Sequence, residues 1–444
     1  MRRAPSTPSF GLPGGRRTSP GMGAMPFALD APLTPEDEGP LDGLTLDQAI
    51  EQLTYNSLSL RAKQLEIPQA RADELTASLR VNPFVFADGQ LIPYRRYSAT
   101  SNPGGPTQYD INITYPLDLS GKRLARMEVA AQARRATEAQ YQDFVRQELD
   151  TLYTAYIDAL SARETLRFAE AGIAGVEQAI TTQGKKGNDT EDEKLQADHI
   201  EIHRDALELV KLDAEGNLAS AKRTLATILS MPREASQTLE LRGSLRDLVP
   251  PPPPTEELAQ TALAARPDVA VYRLNVCRSL ADVKLAKANR FSDVYVLYQP
   301  YTYQDNAPFN LPSSRSWALG ATVTAPIYDR NQGNIRRAAV NVDQSRLELQ
   351  AIERRVWAEV EDAREEYEIS RQMIERIEKR LLPAAREVRD HSLKASEKEN
   401  EDVYAYLIAQ RDYQDLVRQY RDALVRHRRA MLKLNTVVGL RVLP

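Results

Sequence analysis

The chain states nearly the same pattern twice. Pro116-Leu117-Asp118-Leu119-Ser120-Gly121-Lys122-Arg123 closes an alternating apolar/polar run and opens a very long helical pattern. Pro326-Ile327-Tyr328-Asp329-Arg330-Asn331-Gln332-Gly333-Asn334-Ile335-Arg336 does the same, and Gly333 stands 212 positions after Gly121 (333 − 121). Leu195-Gln196-Ala197 returns as Leu407-Ile408-Ala409 at that offset, near a helix start both times. Tandem units this large, each reading strand–strand–helix–helix, imply duplication of one module. Residues 44–249 form the first repeat and 255–444 the second. Pro250 to Pro254 make a stiff extended spacer between them. Residues 1–43, rich in Pro, Gly, Ser and Arg, read as disordered.

Within the first repeat, Thr45 caps a helix over about 46–79, kinked near Pro68. Phe84 to Leu91 reads as a strand and Asn102 to Pro106 as a loop. Tyr109, Ile111, Ile113 and Tyr115 alternate with Asp110, Asn112 and Thr114, the period of a strand with two unlike faces. A helix from Lys122 to about Gln183 spans roughly 93 Å at 1.5 Å per residue, and a second runs from about Thr190 to Leu229. That second helix carries two apolar stripes, Ile200, His203, Leu207, Val210, Ala214 and Leu195, His199, Ile202, Ala206, Leu209. Two adjacent seams suit a helix packed between two neighbours in a curved wall.

The second repeat follows the same order. A helix covers about 268–288, and Val294, Val296 and Tyr298 form a strand. A loop holds Pro300, Pro308 and Pro312. A further strand shows Trp317, Leu319, Ala321, Val323 and Ala325 on one face. Asn334 to about His391 is helical with a kink at Pro383. The last helix, about 402–435, carries a 4-3 seam of Tyr406, Gln410, Tyr413, Val417, Tyr420, Leu424, His427, Met431 and Leu434.

The expected fold is therefore mainly α with a small β part. Charged residues supply 27% and aromatics 7%, the profile of long amphipathic helices. A formal net charge of −4, with acids interleaved near Arg426, Arg428 and Arg429, argues against a nucleic-acid partner. The one cysteine, Cys277, reads as a small apolar residue buried in a helix. No stretch approaches ~20 apolar residues, so no helix spans a membrane. His199 and His203 stand at i and i+4, the spacing of a metal pair. The plainer reading, ordinary interface histidines, outweighs it. The intervening Ile-Glu-Ile is not the zinc-protease pattern, which sets Glu next to the first His. No Ser/His/Asp or Cys/His arrangement and no phosphate loop stands in the sequence, so neither catalysis nor a cofactor is expected.

Four strands of eight to eleven residues cannot close a barrel, since the smallest closed ones need about eight. Left open, they would expose edges and an apolar face. Helices ~90 Å long with two stripes each likewise lack partners within one chain. Both deficits vanish when several copies share one barrel and one helical cylinder. The alternative is a soluble coiled-coil scaffold or adaptor whose strands form a small sheet. The face of Tyr109, Ile111, Ile113 and Tyr115 separates the two, since a scaffold would bury it and a conduit would show it to lipid.

In this order and spacing the motifs resemble the TolC-like outer-membrane factor family over residues 44–443. The carrying residues are the duplication, Pro116 with Gly121 and Pro326 with Gly333 at the strand-to-helix joins, and Arg266-Pro267-Asp268-Val269. Leu434-Asn435-Thr436-Val437-Val438-Gly439, with a degraded Ala226-Thr227-Ile228-Leu229 in the first repeat, completes the set. Gln332-Gly333-Asn334 after Asp329 is similar to heavy-metal and multidrug efflux members. The resemblance implies a homotrimer whose four-stranded contributions make a twelve-stranded barrel in outer-membrane lipid, with an α-barrel in the periplasm. It implies a passive exit duct for drugs, metal cations or other substrates, in a tripartite efflux or type I secretion system. It also implies a periplasmic adaptor and an inner-membrane transporter as partners.

Family members often begin the last tip helix with a glycine and an Asp-Val-Leu-Asp-Ala type motif whose acids narrow the entrance. Ala405-Tyr406-Leu407-Ile408-Ala409 stands there instead, and Glu399 occupies the glycine's place. Glu193 and Glu401 then become the candidates for the constriction, with Asp192 and Asp402 next. Gly187, Asn188, Asp189, Glu397 and Glu399 are the expected adaptor-contact tips. Residues 1–43 hold no 7–15-residue apolar core and do not read as a signal peptide. Export implied by the resemblance points to a start set too late or to a missing leader.

Overall fold

A computed structural model describes residues 39–91, 107–183, 191–246, 250–307, 311–398 and 403–443. Helix α1 (Leu46–Asn56) opens with a capping box. Thr45 Oγ1 accepts from Gln48 N at 3.3 Å, and Gln48 Oε1 accepts from Thr45 N at 3.0 Å. The single kinked helix expected here is three helices. Ser57 adopts a non-helical ψ of 123° and caps α2 (Leu58–Gln64), and α3 (Glu66–Ser78) follows Leu65. Pro68 falls in the first turn of α3, where a missing N–H costs no helical bond. The break therefore lies at the serine, not the proline.

Strands β1 (Phe84–Leu91), β2 (Thr107–Leu117), β3 (Val294–Gln304) and β4 (Ser314–Thr322) form one antiparallel sheet in that order. The β2–β3 pairing joins the two repeats. Pro300, expected in a loop, lies inside β3. The strand carries a bulge against both neighbours there, between Gln299 and Thr302 on the β4 side. A bulge leaves a residue unpaired, which is how a central strand accommodates a proline. Val323 and Ala325 lie beyond the end of β4. The Asn102–Pro106 cluster and Pro308 are outside the described residues.

Helix α4 (Lys122–Gln183) runs its full 62 residues, and α5 covers Glu191–Ile228. The chain divides into two compact units. In the smaller, residues 166–212, the end of α4 and the start of α5 form a hairpin packed through Val176, Leu207 and Ile173. Gly172 lies against Leu207, where an added Cβ would come within 3.2 Å of its methyl groups. Of the two stripes on α5, Leu207 and Ala214 are buried, while Ile202 and Leu209 of the second remain 66% and 69% exposed.

The larger unit holds the rest. A short α6 (Ala235–Thr238) precedes the spacer, and Pro254, at φ −58° and ψ 150°, leads into α7 (Thr255–Ala265), a helix the sequence reading had left out. Helices α8 (Pro267–Ala288), α9 (Gln332–Arg376), α10 (Leu382–Lys398) and α11 (Val403–Val438) complete the chain. The kink expected at Pro383 takes the form of a π turn, Ile377–Leu381, in which Leu382 N bonds Ile377 O. Proline cannot supply an i−4 bond, and one widened turn absorbs the loss.

The main core gathers Val269 of α8, Val356, Val360 and Tyr367 of α9 and Met431, Leu434 and Val438 of α11. Every described seam residue from Val417 to Leu434 is buried. His427 is held there by Ser370 Oγ, 3.0 Å from its Nδ1, and by the Tyr367 ring at 4.9 Å. Cys277, expected to be buried, is exposed. Helix α8 packs through Val269, Val271 and Ala281, and Cys277 stands on its outward side. Leu44 and Leu241 form a parallel bridge lying on α4. The Tyr156 hydroxyl donates to Arg242 O at 2.6 Å and lies 3.0 Å from Leu44 O. Burial pushes that phenol up to about 12.

Candidate functional site

The sheet has two chemically different faces, and register assigns every residue to one of them. Tyr109 pairs with Tyr303, Ile111 with Tyr301, Tyr115 with Val296, Tyr298 with Leu319 and Val296 with Ala321. Directly opposed residues share a face, so this face is apolar and aromatic over β2 to β4 except at Arg315, opposite Tyr303, and Val85 and Ala87 continue it onto β1. Tyr109 and Tyr303 stack at 6.4 Å, and Tyr301 and Tyr303 at 6.5 Å. Among the described residues nothing covers it, for Trp317 is 71% and Leu319 68% exposed.

The opposite face is mainly polar, with Gln108, Asp110, Asn112, Thr114, Gln299 and Thr302, and carries Phe84, Phe86, Tyr295 and Leu297 toward the end near the helices. Gln108 Nε2 donates to Asp110 Oδ2 at 2.7 Å, and Gln299 Nε2 to Asp110 Oδ1 at 3.0 Å, across a strand boundary. Apolar out and polar in is the dyad signature of a membrane barrel wall. A half-buried sheet in a soluble core would have its apolar face covered.

Each strand-to-helix join carries one left-handed residue just before its long helix. Pro116 is buried at the end of β2, and Gly121 takes a left-handed φ of +76° just before α4. Asp118 caps that helix, accepting from Lys122 N at 3.0 Å and Arg123 N at 2.7 Å. Burial pushes its carboxyl up, but the backbone N–H groups outweigh this and hold it below the ordinary range. In the second repeat Pro326 precedes the join, and the left-handed residue is Asn331 at φ +59°, not Gly333. Gly333 lies in the first turn of α9 with an ordinary φ. Asparagine tolerates this conformation better than other side-chain-bearing residues, so equating the two glycines was off by two positions. Asn331 Nδ2 also donates to Ala286 O at 2.8 Å, tying the join to α8.

The arginine of Arg266-Pro267-Asp268-Val269 turns out to be a structural node. Its guanidinium is 3% exposed and grips Asp268 with two bonds, at 3.0 and 2.6 Å. It also reaches Glu359 of α9 at 2.6 Å and Val437 O at the end of α11 at 3.2 Å. Gly439, at φ +78°, packs against it, since an added Cβ would approach Arg266 Cγ to 3.1 Å. Arg146 of α4 stands 3.7 Å from Asp268 and donates to Thr436 O at 3.3 Å. Asn435 clips the tail, its Oδ1 accepting from Val442 N and Leu443 N at 2.8 and 2.7 Å. Sequence reading saw both motifs as family marks and missed that they touch.

Asp192 and Glu193 lie in the first turn of α5, with His199 and His203 one turn apart farther along, and Glu397 is in the last turn of α10. Gly187, Asn188, Asp189, Glu399, Glu401 and Asp402 lie outside the described residues. Among the described residues no group of three or more His, Cys, Asp or Glu converges as a metal site, and no helix is long and apolar enough to cross a membrane.

A mainly helical chain with a small two-faced antiparallel sheet is the fold of the TolC-like outer-membrane channels. No family model matches the chain. Its sequence is 25% identical over 355 residues to the cobalt-zinc-cadmium resistance protein CzcC of Cupriavidus metallidurans, covering 79% of this chain and 78% of that one. It is 26% identical to the pyoverdine export outer membrane protein OpmQ of Pseudomonas aeruginosa, covering 66% and 62%. The solved outer-membrane channel OprN superposes with a TM-score of 0.73 at 18% identity, over 89% of each chain. The resemblance read from the motifs therefore stands, and with it an outer-membrane exit duct in preference to a soluble scaffold.

Proposed function

We propose that three copies of this chain close one barrel in the outer membrane and one helical duct beneath it, and that the assembly catalyses nothing. The observation that carries this reading is the uncovered apolar face of a four-stranded sheet whose other face is mainly polar. Edge strands β1 and β4 need partners, and further copies supply them. Residues 44–249 and 255–444, joined by the proline spacer, act as two quasi-equivalent halves of each copy's share of the wall. The substrate is a drug, a metal cation or another exported solute, driven by an inner-membrane transporter through a periplasmic adaptor at the helix tips. Mass measurement in mild detergent tests it. A trimer is expected, and a monodisperse, detergent-free soluble monomer would overturn the reading.

The entrance is the second part of the proposal. Tips from three copies bring acids around one axis, where their fields add and attract cations. Glu193 and Glu401 are the constriction, supported by Asp192 and Asp402, with Gly187, Asn188, Asp189, Glu397 and Glu399 meeting the adaptor. Neutralising Glu193 and Glu401 together is expected to lower cation preference in planar-bilayer recordings. If the acids only cap and solvate the tips, reversal potentials across a salt gradient will stay where they are in the wild type.

A further inference from the structure

We infer that the barrel end of this duct has a site for lipophilic aromatic cations, built from Phe84 and Phe86 beside the carboxylates of Asp88 and Asp110. The inference rests on the conduit reading and names a substrate class for it. Phe84 pairs with Thr114, Phe86 with Asn112 and Asp88 with Asp110, which puts both phenylalanines on the polar face. Leu297, opposite Thr114, and Tyr295, opposite Pro116, are apolar residues on the same face, so the rings belong to an apolar stretch of an otherwise polar wall. Each ring is 58% exposed and serves no core. On a wall facing water, two neighbouring exposed rings make an apolar patch of the kind that marks a binding surface.

The charge of the occupant follows from the next residues along the strand. Asp88 stands two positions beyond Phe86 on the same face, directly opposite Asp110 on the neighbouring strand. Asp88 Oδ2 accepts from Gln90 Nε2 at 2.8 Å, and its Oδ1 is buried with no hydrogen-bond partner. The side chains donating to Asp110, Gln108 and Gln299, are both neutral amides. Neither carboxylate has an ion-pair partner among the described residues. A small hydrated metal ion would use the carboxylates and gain little from the rings. An organic cation with aromatic bulk buries apolar area, sits over the ring faces and neutralises the carboxylate pair at once.

The full-length protein in planar bilayers, with tetraphenylphosphonium as probe and tetramethylammonium as a small cation of equal charge, tests this. Tetraphenylphosphonium is expected to block at a concentration about tenfold lower or less. Phe84→Ser with Phe86→Ser should close that gap, each channel being scaled to its own unblocked conductance. Asp88→Asn with Asp110→Asn should weaken block by both cations. The wild-type comparison alone decides the matter should a variant fail to assemble. Channels that conduct but treat the two cations alike overturn this inference and leave the conduit standing, as does undiminished preference in the Phe84/Phe86 variant. A chain that never conducts overturns the conduit reading and this site with it.

Discussion

Arg266→Ala is expected to cost about 3–5 kcal/mol of stability, because it strands a buried carboxylate instead of deleting a surface pair. Asp268 is 14% exposed at its side chain and loses both bonds of its arginine fork. Val437 O loses a donor, and among the described residues Arg146, at 3.7 Å, is the remaining cation near the carboxylate. Arg266→Lys should recover only part of the loss, since one ammonium cannot reproduce a fork that meets Asp268, Glu359 and a helix terminus together. Thermal unfolding followed by circular dichroism measures both variants. A loss within about 0.5 kcal/mol, typical of surface sites, would show that the node carries no stability. The pH dependence has a definite sign. Burial pushes the Asp268 carboxyl up, but Arg266 and then Arg146 pull it below its ordinary 3.8. A depressed carboxylate contributes its stability in full above the ordinary value and loses it as pH falls through the folded one. Acid should therefore destabilise the wild type below about pH 4 more steeply than the Arg266→Ala variant.

What the sequence made legible was what periodicity encodes. Alternation found β2 because Tyr109, Ile111, Ile113 and Tyr115 alternate with Asp110, Asn112 and Thr114. A 62-residue helix was readable because nothing in Lys122–Gln183 interrupts its pattern. Side-chain identity misled wherever backbone conformation was what the duplication kept. The left-handed positions at the repeat joints are Gly121 and Asn331 before the long helices, and Ser230 and Gly439 after α5 and α11. One member of each pair is glycine, and the other reaches the same φ with a side chain. Matching glycine to glycine therefore slipped the register by two. Breaks set by local capping, such as Ser57, carry no periodic signal and were missed. Pro300 was read as a loop residue because a bulge depends on two neighbouring strands that are distant in sequence. The Arg266 node was invisible for the same reason, since Glu359 and Val437 come from elements 93 and 171 residues away.

Adjacent substitutions on β4 offer the sharpest test of the membrane wall. Leu319 pairs with Tyr298 on the apolar face, and Ala318 pairs with Gln299 on the polar one. The two are one residue apart, so they share strand, depth and loop context and differ only in the face they occupy. Leu319→Arg should cost about 2–4 kcal/mol if its position is near the bilayer midplane, because a guanidinium there faces hydrocarbon. The expected readout is loss of heat-resistant trimer from the outer-membrane fraction. Ala318→Arg should assemble normally and add one positive charge per copy to the lumen, shifting ion preference toward anions. A protein that keeps this face in water, as Leu319 stands in the single copy at 68% exposure, would tolerate Leu319→Arg within about 0.5 kcal/mol. The lipid wall also fails if Leu319→Arg inserts as well as Ala318→Arg and both leave reversal potentials unchanged. Opposite outcomes at two neighbouring residues cannot come from general destabilisation. They require one face in hydrocarbon and the other in water.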